Sequence, residues 1–199
     1  MGVDLMSDNW NFLLVVTEGP HDVATITRVL RIRGYKELEN ENDVPDQLRA
    51  TIPQKYPFSE NGRMDWAVPR PTFLQKAEHF VIISNARGVE GIGRTLAENL
   101  DVLRGEVLQR LKGIALIADM DNENHEKRQR ELIEQIKQEK EDVEFTDIQP
   151  GRAQIKTAYE EYKICFYFFP DNYFSRRTSN RYCNLITGRT ILFFFNFYR

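Results

Sequence analysis

Cysteine and histidine are scarce in this chain of 199 residues, which contains two cysteines and three histidines. Cys165 and Cys183 form no Cys-x-x-Cys pair, which favours a reduced, cytoplasmic setting. Three scattered histidines argue against a structural zinc site. No apolar run is long enough to span a bilayer, and residues 1–9 lack the basic cluster of a secretory signal. We therefore expect a cytoplasmic protein with no membrane partner.

Length and composition are those of one globular domain that can bury a sizeable core, with 41% hydrophobic and 29% charged residues. The charge is unevenly distributed. Residues 175–199 contain five arginines and no acidic residue, so the rest of the chain is more acidic than the net charge of −3 suggests. An acidic body argues against a protein that coats DNA non-specifically. It does not exclude a nucleic-acid substrate, because bound metal ions offset carboxylate charge.

A run of five apolar residues, Ile114 to Ala118, predicts a strand that is buried on both faces. Asp119 and Asp121 follow it, and side chains two positions apart in an extended chain project the same way. Open α/β sheets bind ligands at the carboxyl ends of their strands. Two neighbouring carboxylates repel each other and favour a divalent cation such as Mg²⁺. Two interpretations remain open here: a metal site, or a strand end followed by a helix cap.

A second acidic strand end lies closer to the N-terminus. Phe12 to Val16 is a buried-strand candidate, and the apolar spacing of Val23 to Arg33 predicts a helix. Glu18 would lie at the carboxyl end of this strand. Asp22 would lie in the first helical turn, where the helix dipole favours a negative charge. Asp22 therefore has a structural explanation, whereas Glu18 lacks one.

Two further buried strands are predicted at Phe80 to Ser84 and at Lys163 to Phe169. A glycine-rich loop, residues 85–93, follows the first of them. Its Gly-x-x-Gly-x-Gly spacing is neither a dinucleotide fingerprint nor a P-loop. Either the loop lets the backbone approach a phosphate or it is a plain turn, and the turn is the favoured interpretation.

The remaining segments are predicted from weaker patterns. Residues 94–111 and 123–141 have helical spacing, and the second of these helices is highly charged. Residues 35–78 contain five prolines and are predicted to be irregular, with a short helix near residues 44–52. A short strand is expected at residues 143–145.

The order of these motifs resembles the Toprim domain of topoisomerases, primases and overcoming-lysogenization-defect-type nucleases. In that order a strand is followed by Glu-Gly-x-x-Asp and a helix, and a later strand ends in Asp-x-Asp. The residues that carry this resemblance are Glu18, Gly19, Asp22, Asp119 and Asp121. Gly88 or Gly91 matches the glycine often found after the second strand. More narrowly, the chain is similar to small stand-alone bacterial Toprim-related proteins of unknown function, in which a strand ending like Phe169-Pro170-Asp171-Asn172 follows. The resemblance covers residues 12–172.

The resemblance implies an α/β fold of the Toprim or Rossmann-like type. Its sheet is expected to be mostly parallel and four-stranded, flanked by helices, with an irregular insertion after the first helix. The Toprim-like domain would cover residues 1–174, with the insertion at about residues 35–78. Residues 175–199 would form an atypical basic and aromatic tail.

The function implied by the resemblance is Mg²⁺-dependent or Mn²⁺-dependent phosphotransfer, most simply a nuclease acting on DNA or RNA. A role in phage or mobile-element defence rests on family analogy alone. Asp119, Asp121 and Glu18 would be metal ligands. Glu18 would alternatively be the general acid or base, and Asp22 would support Glu18 or a second ion.

Two rival hypotheses remain. One is a non-catalytic Toprim-like module that binds nucleotide, nucleic acid or a protein partner. The other is an unrelated Rossmann-like domain whose acids are helix caps. The chain also departs from the Toprim-related group near its C-terminus, where Gly188-Arg189-Thr190-Ile191 has no acid. A catalytic acid from that region would be missing, which puts activity in doubt.

The tail over residues 175–199 has several interpretations. Its arginines and aromatic rings would suit a nucleic-acid-binding arm. Its apolar run would alternatively pack on the sheet as a final strand, and it is too short to span a membrane. The favoured hypothesis is a truncated or frame-shifted version of the normal end, which would lack a stable docking surface and promote aggregation.

Overall fold

One eight-stranded mixed sheet organises the described part of the chain, which comprises residues 10–52, 70–120, 123–158 and 160–169 of a computed structural model. The order across the sheet is β2-β3-β4-β1-β5-β8-β7-β6. In chain order the strands are β1 Asn11–Thr17, β2 Lys36–Leu38, β3 Thr72–Lys76, β4 His79–Asn85, β5 Leu111–Asp119, β6 Glu144–Gln149, β7 Arg152–Lys156 and β8 Glu161–Phe169.

The four central strands, β4, β1, β5 and β8, are parallel neighbours and correspond to the four buried strands that the sequence predicted. The apolar runs of β4, β1 and β5 are covered on both faces; Ile114 to Ala118, for example, are each no more than 5% exposed. β8 is buried on one face and partly exposed on the other. Continuous apolar runs are typical of parallel strands buried in this way. The carboxyl ends of these strands all meet at one edge of the sheet.

The prediction of a mostly parallel four-stranded sheet is nevertheless wrong, because the sheet has eight strands and four of its seven pairings are antiparallel. β3 and β2 extend one side of the parallel centre, and β7 and β6 extend the other. These outer strands are short and carry polar residues, so they lack the apolar runs that identified the central strands. Only residues 143–145 of this outer group gave a strand signal.

The predicted irregular insertion after the first helix is also wrong where the structure describes it. β2 and β3 both belong to the sheet, and Phe73 is 1% exposed in its core. A short helix lies where one was expected, within residues 44–52. Residues 53–69, which include Pro53, Pro57, Trp66 and Pro69, lie outside the described residues.

Five α-helices are present in the described residues: α1 Pro20–Ile32, α2 Asp46–Arg49, α3 Ile92–Val102, α4 Glu106–Gln109 and α5 His125–Glu139. The single helix predicted over residues 94–111 is interrupted, since Leu103 is extended and Gly105 has a left-handed φ of 60°. Glycine takes such a φ at little cost, which is why the helix stops and restarts here. None of the described helices is both long and apolar enough to cross a bilayer.

The helices form a layer on each face of the sheet. On one face, α3 and α5 pack against alternate residues of the central strands, such as Leu14, Leu116 and Phe166. On the opposite face, α1 packs against the residues in between, such as Val15 and Ile117. Side chains alternate between faces along a strand, so each central strand serves both layers. The packing of α1 on the sheet therefore sets the position of its first turn relative to the end of β1.

Candidate functional site

The ends of β1 and β5 bring two acidic residues together. The strands are adjacent and parallel, with Thr17 opposite Ile117. The ladder continues one step further, because the Glu18 N–H donates to the Ile117 carbonyl at 2.9 Å. The Glu18 side chain then reaches across, and its Oε2 accepts the Asp119 N–H at 3.0 Å. The structure therefore places Glu18 beside Asp119 at the carboxyl edge of the sheet.

Asp22 joins this pair from the first turn of α1. The helix begins at Pro20 with Gly19 as its N-cap, and Asp22 Oδ2 accepts the Gly19 N–H at 2.9 Å. This contact satisfies one backbone donor that a helix start would otherwise leave unpaired. Asp22 thus lies in the first helical turn, as predicted, and also has a structural role as a cap. This cap occupies only one carboxylate oxygen, so it does not exclude a second role.

The electrostatics of Asp22 show how closely the three acids are grouped. The pKa of Asp22 is raised from 3.8 to about 6, and burial is the largest cause. The negative charges of Asp119 and Glu18 contribute to this rise, while the Gly19 N–H and His21 oppose it. A carboxyl group surrounded in this way changes its protonation state close to neutral pH. We call Glu18, Asp22 and Asp119 the acidic cluster.

The acidic cluster has the chemistry of a Mg²⁺ site, because carboxylate oxygens are the ligands that this ion prefers. Glu18 and Asp22 each use one carboxylate oxygen to accept a backbone N–H. Within the described ranges, however, no group of three or more His, Cys, Asp or Glu side chains is arranged to hold an ion. Asp121, the fourth predicted acid, lies outside the described residues. Metal binding therefore stays a prediction.

The remaining sequence candidates near the C-terminus cannot be placed. Asp171, the Gly188 to Ile191 segment and the whole 175–199 tail lie outside the described residues. The expectations for them stand as they were stated from the sequence.

The glycine-rich loop after β4 is a turn whose glycines have structural roles. The Ala86 N–H donates to the Thr17 carbonyl and the Gly88 N–H to the Glu18 carbonyl, both at 2.8 Å. Gly88 has φ 123° and ψ 156°, a conformation that is essentially restricted to glycine. A Cβ on Gly91 would lie 2.2 Å from the Ala86 carbonyl oxygen, and one on Gly93 would lie 2.9 Å from the Gln135 backbone. Local packing, rather than approach to a phosphate, accounts for these glycines.

A polar cavity of about 360 Å³ lies beside this loop, and sequence reasoning missed it. Three arginines line it: Arg70 before β3, Arg87 in the loop and Arg94 in the first turn of α3. Arg87 and Arg94 flank the three glycines of the loop in the sequence, which is the signal that could have drawn attention to them. Arg70 comes from a distant part of the chain, so no local pattern could have associated it with the other two.

No family model matches this chain. No curated protein sequence matches it either. Among solved structures, the crystal structure of a hypothetical protein from Pyrococcus horikoshii OT3 is similar, with 18% sequence identity and a TM-score of 0.46. The match covers 78% of this chain and 54% of that protein, so this chain spans about half of its length. A likeness of this degree carries no argument about the site or its chemistry.

Proposed function

We propose that this protein is a Mg²⁺-dependent phosphotransferase of the Toprim type, acting as a nuclease on DNA or RNA in the cytoplasm. The observation that carries the proposal is the acidic cluster itself. Glu18, Asp22 and Asp119 come from a strand end, a helix start and a second strand end, and they are close enough for their charges to raise the pKa of Asp22. Such crowding is unfavourable without a cation and suits a site that binds one.

The proposed ligands are Asp119, Asp121 and Glu18, with Mn²⁺ as an alternative ion. A divalent cation held there would neutralise charge on a phosphodiester and favour ionisation of an attacking water. Acidic side chains of the protein would accept and donate the protons of the reaction. Asp22, whose pKa is raised to about 6, is suited to exchanging a proton near neutral pH. Glu18 would either hold the ion or accept the proton of the attacking group.

A non-catalytic Toprim-like module that binds nucleotide, nucleic acid or a protein is the second candidate. The observation that favours it is that Glu18 already accepts the Asp119 N–H at the end of β5 and Asp22 accepts the Gly19 N–H at the start of α1. In this alternative the acids stabilise the fold at the sheet edge, and binding rather than cleavage is the activity. The C-terminal departure from the Toprim-related group agrees with a loss of catalysis.

A cleavage assay on end-labelled single-stranded and duplex oligonucleotides, with Mg²⁺, Mn²⁺ or EDTA, tests the proposal. Asp119→Asn should reduce metal-dependent cleavage at least a hundredfold, because it removes one charged ligand from the reacting centre. Asp43→Asn is the matched control, since Asp43 is exposed in a short 3-10 turn away from the cluster. Circular dichroism should show that both variants fold.

The two candidate functions give different results in this assay. Metal-dependent cleavage that is lost in Asp119→Asn and retained in Asp43→Asn supports the nuclease. Binding of oligonucleotide without cleavage under any metal condition would instead support the non-catalytic module. Cleavage that is unaffected by Asp119→Asn would show that the acidic cluster is not the reacting centre.

A further inference from the structure

The arginine-lined cavity lies at the end of β4, and the acidic cluster begins at the end of the neighbouring strand β1. Ser84 and Asn85, the last residues of β4, lie opposite Val16 and Thr17 of β1 and line the cavity. The loop that follows them is hydrogen-bonded to the Thr17 and Glu18 carbonyls. Glu18 thus contributes its side chain to the acidic cluster and its backbone to the loop that carries Arg87. The two regions lie next to each other on one sheet edge.

The charge of the cavity favours an anion. Three guanidinium groups line it, against a single carboxylate from Glu98. Burial raises the pKa of Glu37, and the Arg70 guanidinium opposes that rise, so the charge of Arg70 is partly compensated. Arg87 and Arg94 differ in this respect, because neither forms an ion pair with a carboxylate in the described residues. Two exposed guanidinium charges therefore remain at the cavity.

The backbone at Arg87 is held in a conformation that few side chains adopt. Its φ is 61°, in the left-handed region that a residue with a Cβ enters at a cost. The Arg87 N–H donates to Asn85 Oδ1 at 2.9 Å, and Gly88 continues the turn. Glycine or asparagine would fit this backbone better than arginine does. The strained turn directs attention to the Arg87 side chain, which lines the cavity.

From these observations we infer that the cavity binds a phosphate group, contributed by a nucleic-acid strand or by a free nucleotide. Guanidinium groups bind phosphate oxygens through paired N–H donors, and arginine is the residue best suited to this contact. Asn85 adds a side-chain amide that can donate hydrogen bonds, and the volume of about 360 Å³ admits a ligand of nucleotide size. A ligand bound in the cavity would lie one strand away from the acidic cluster.

The inference rests on the proposed function in one respect, namely that the bound phosphate belongs to the substrate of the acidic cluster. A strand held by a phosphate in the cavity would pass a neighbouring phosphodiester toward Glu18, Asp22 and Asp119. Repulsion from the acidic cluster would keep the phosphate out of the carboxylates in the absence of metal. The cavity would therefore bind nucleic acid even in EDTA, whereas cleavage would need the ion.

Fluorescence anisotropy with a labelled 12-nucleotide oligothymidylate in EDTA tests this inference on the full chain. The double variant Arg87→Gln, Arg94→Gln removes both unpaired charges while keeping long polar side chains. Arg28→Gln, Arg130→Gln is the matched control, because it removes two exposed arginines from α1 and α5. The cavity variant should bind at least tenfold more weakly than wild type, and the control should bind within about twofold of it.

Measuring the oligonucleotide affinity at several salt concentrations distinguishes direct phosphate contacts from long-range electrostatic attraction. Each lost phosphate contact to a single strand should reduce the slope of log K against log salt by about 0.7, so the cavity variant should lose about 1.4. Competition by adenosine monophosphate distinguishes the two sources of phosphate. Displacement of the oligonucleotide by this nucleotide indicates a mononucleotide site, and its failure to compete indicates that a strand is required.

Equal oligonucleotide affinities for the cavity variant and the arginine control would overturn the inference, as would the absence of binding to wild type by either probe. Different results would contradict the proposed nuclease activity. If the wild-type protein shows no metal-dependent cleavage but binds the oligonucleotide through Arg87 and Arg94, the phosphate site stands without the nuclease. If cleavage persists and depends on Asp119 while Arg87→Gln, Arg94→Gln binds normally, the nuclease stands without this phosphate site.

Discussion

The acidic cluster and the arginine-lined cavity occupy the same edge of one sheet and carry opposite charge. In the acidic cluster, Glu18, Asp22 and Asp119 repel one another, and burial makes that repulsion stronger. In the cavity, Arg87 and Arg94 have no ion-pair partner in the described residues, yet the acids lie only one strand away. The glycine-rich loop, residues 85–93, connects the two regions, because it carries Arg87 and is hydrogen-bonded to the Glu18 carbonyl. By charge alone, the acidic cluster favours a cation and the cavity favours an anion.

The loop is the element that both regions depend on, and a substitution in it should have the largest effect on stability. Gly91→Ala would place a Cβ 2.2 Å from the Ala86 carbonyl oxygen, so the backbone must move. We expect a loss of about 3 kcal/mol, comparable to overpacking a core. For a chain of this size this corresponds to a fall of roughly 6–12 °C in melting temperature, measured by calorimetry.

Gly19→Ala is the matched control for this substitution. Gly19 has an ordinary extended backbone, and the nearest atom to an added Cβ is Asp22 Oδ2 at 3.8 Å. It should therefore change the melting temperature by no more than a few degrees. A Gly91→Ala protein as stable as Gly19→Ala would show that the loop is not tightly packed.

Asp22→Asn removes one carboxylate from the acidic cluster and should stabilise the metal-free protein at neutral pH. The pKa of Asp22 is higher in the folded protein than its usual 3.8, so the protonated form favours folding. That contribution is fully present below about pH 3.8 and is lost as the pH rises through about 6. At pH 7.5 the metal-free variant should be more stable than wild type by about 1 kcal/mol, after allowance for solvent screening at this half-buried group.

Chemical denaturation at pH 7.5 and pH 4 in EDTA measures this difference. The stability gained by Asp22→Asn should shrink as the pH falls between these values, because asparagine still accepts the Gly19 N–H while the wild-type carboxyl becomes protonated. The exposed Asp43→Asn variant is the control for the general effect of removing one negative charge. A gain that is independent of pH would contradict the crowding of carboxylates in the acidic cluster.

Glu98→Gln removes the negative charge at the cavity and should have the smallest effect, a modest gain in oligonucleotide affinity. Glu98 is the one carboxylate among the described residues that line the cavity, and it is exposed. Its removal should tighten oligonucleotide binding about twofold to threefold at low salt, since exposed charge interactions are weak and screened. The anisotropy measurement described above detects this change. Weaker binding by Glu98→Gln would show that the cavity does not select anions.

The sequence predicted the centre of the fold and one of the two regions. Uninterrupted apolar runs identified the four central strands, and acids directly after two of them indicated a cluster at their carboxyl ends. The pairing of β1 with β5 that brings Glu18 to Asp119 is a long-range property that local spacing does not reveal.

The outer strands and the cavity could not be predicted for a physical reason. β2, β3 and β7 are three to five residues long and gain stability from pairing with a neighbour rather than from their own apolar pattern. The cavity combines Arg70, Arg87 and Arg94, and the antiparallel pairing of β3 with β4 brings Arg70 to the other two. Local sequence contains no information about such a contact.

The central claim is that the acidic cluster binds a divalent cation, and calorimetric titration of Mg²⁺ at pH 6 in two buffers with different ionisation enthalpies tests it most directly. Asp22 should be close to half protonated at that pH, so binding should release about half a proton per ion, falling toward zero at pH 7.5. Asp119→Asn should abolish the binding, and Asp43→Asn should preserve it. Absence of Mg²⁺ binding by the wild-type protein, or binding that survives Asp119→Asn with no proton release, would contradict the account.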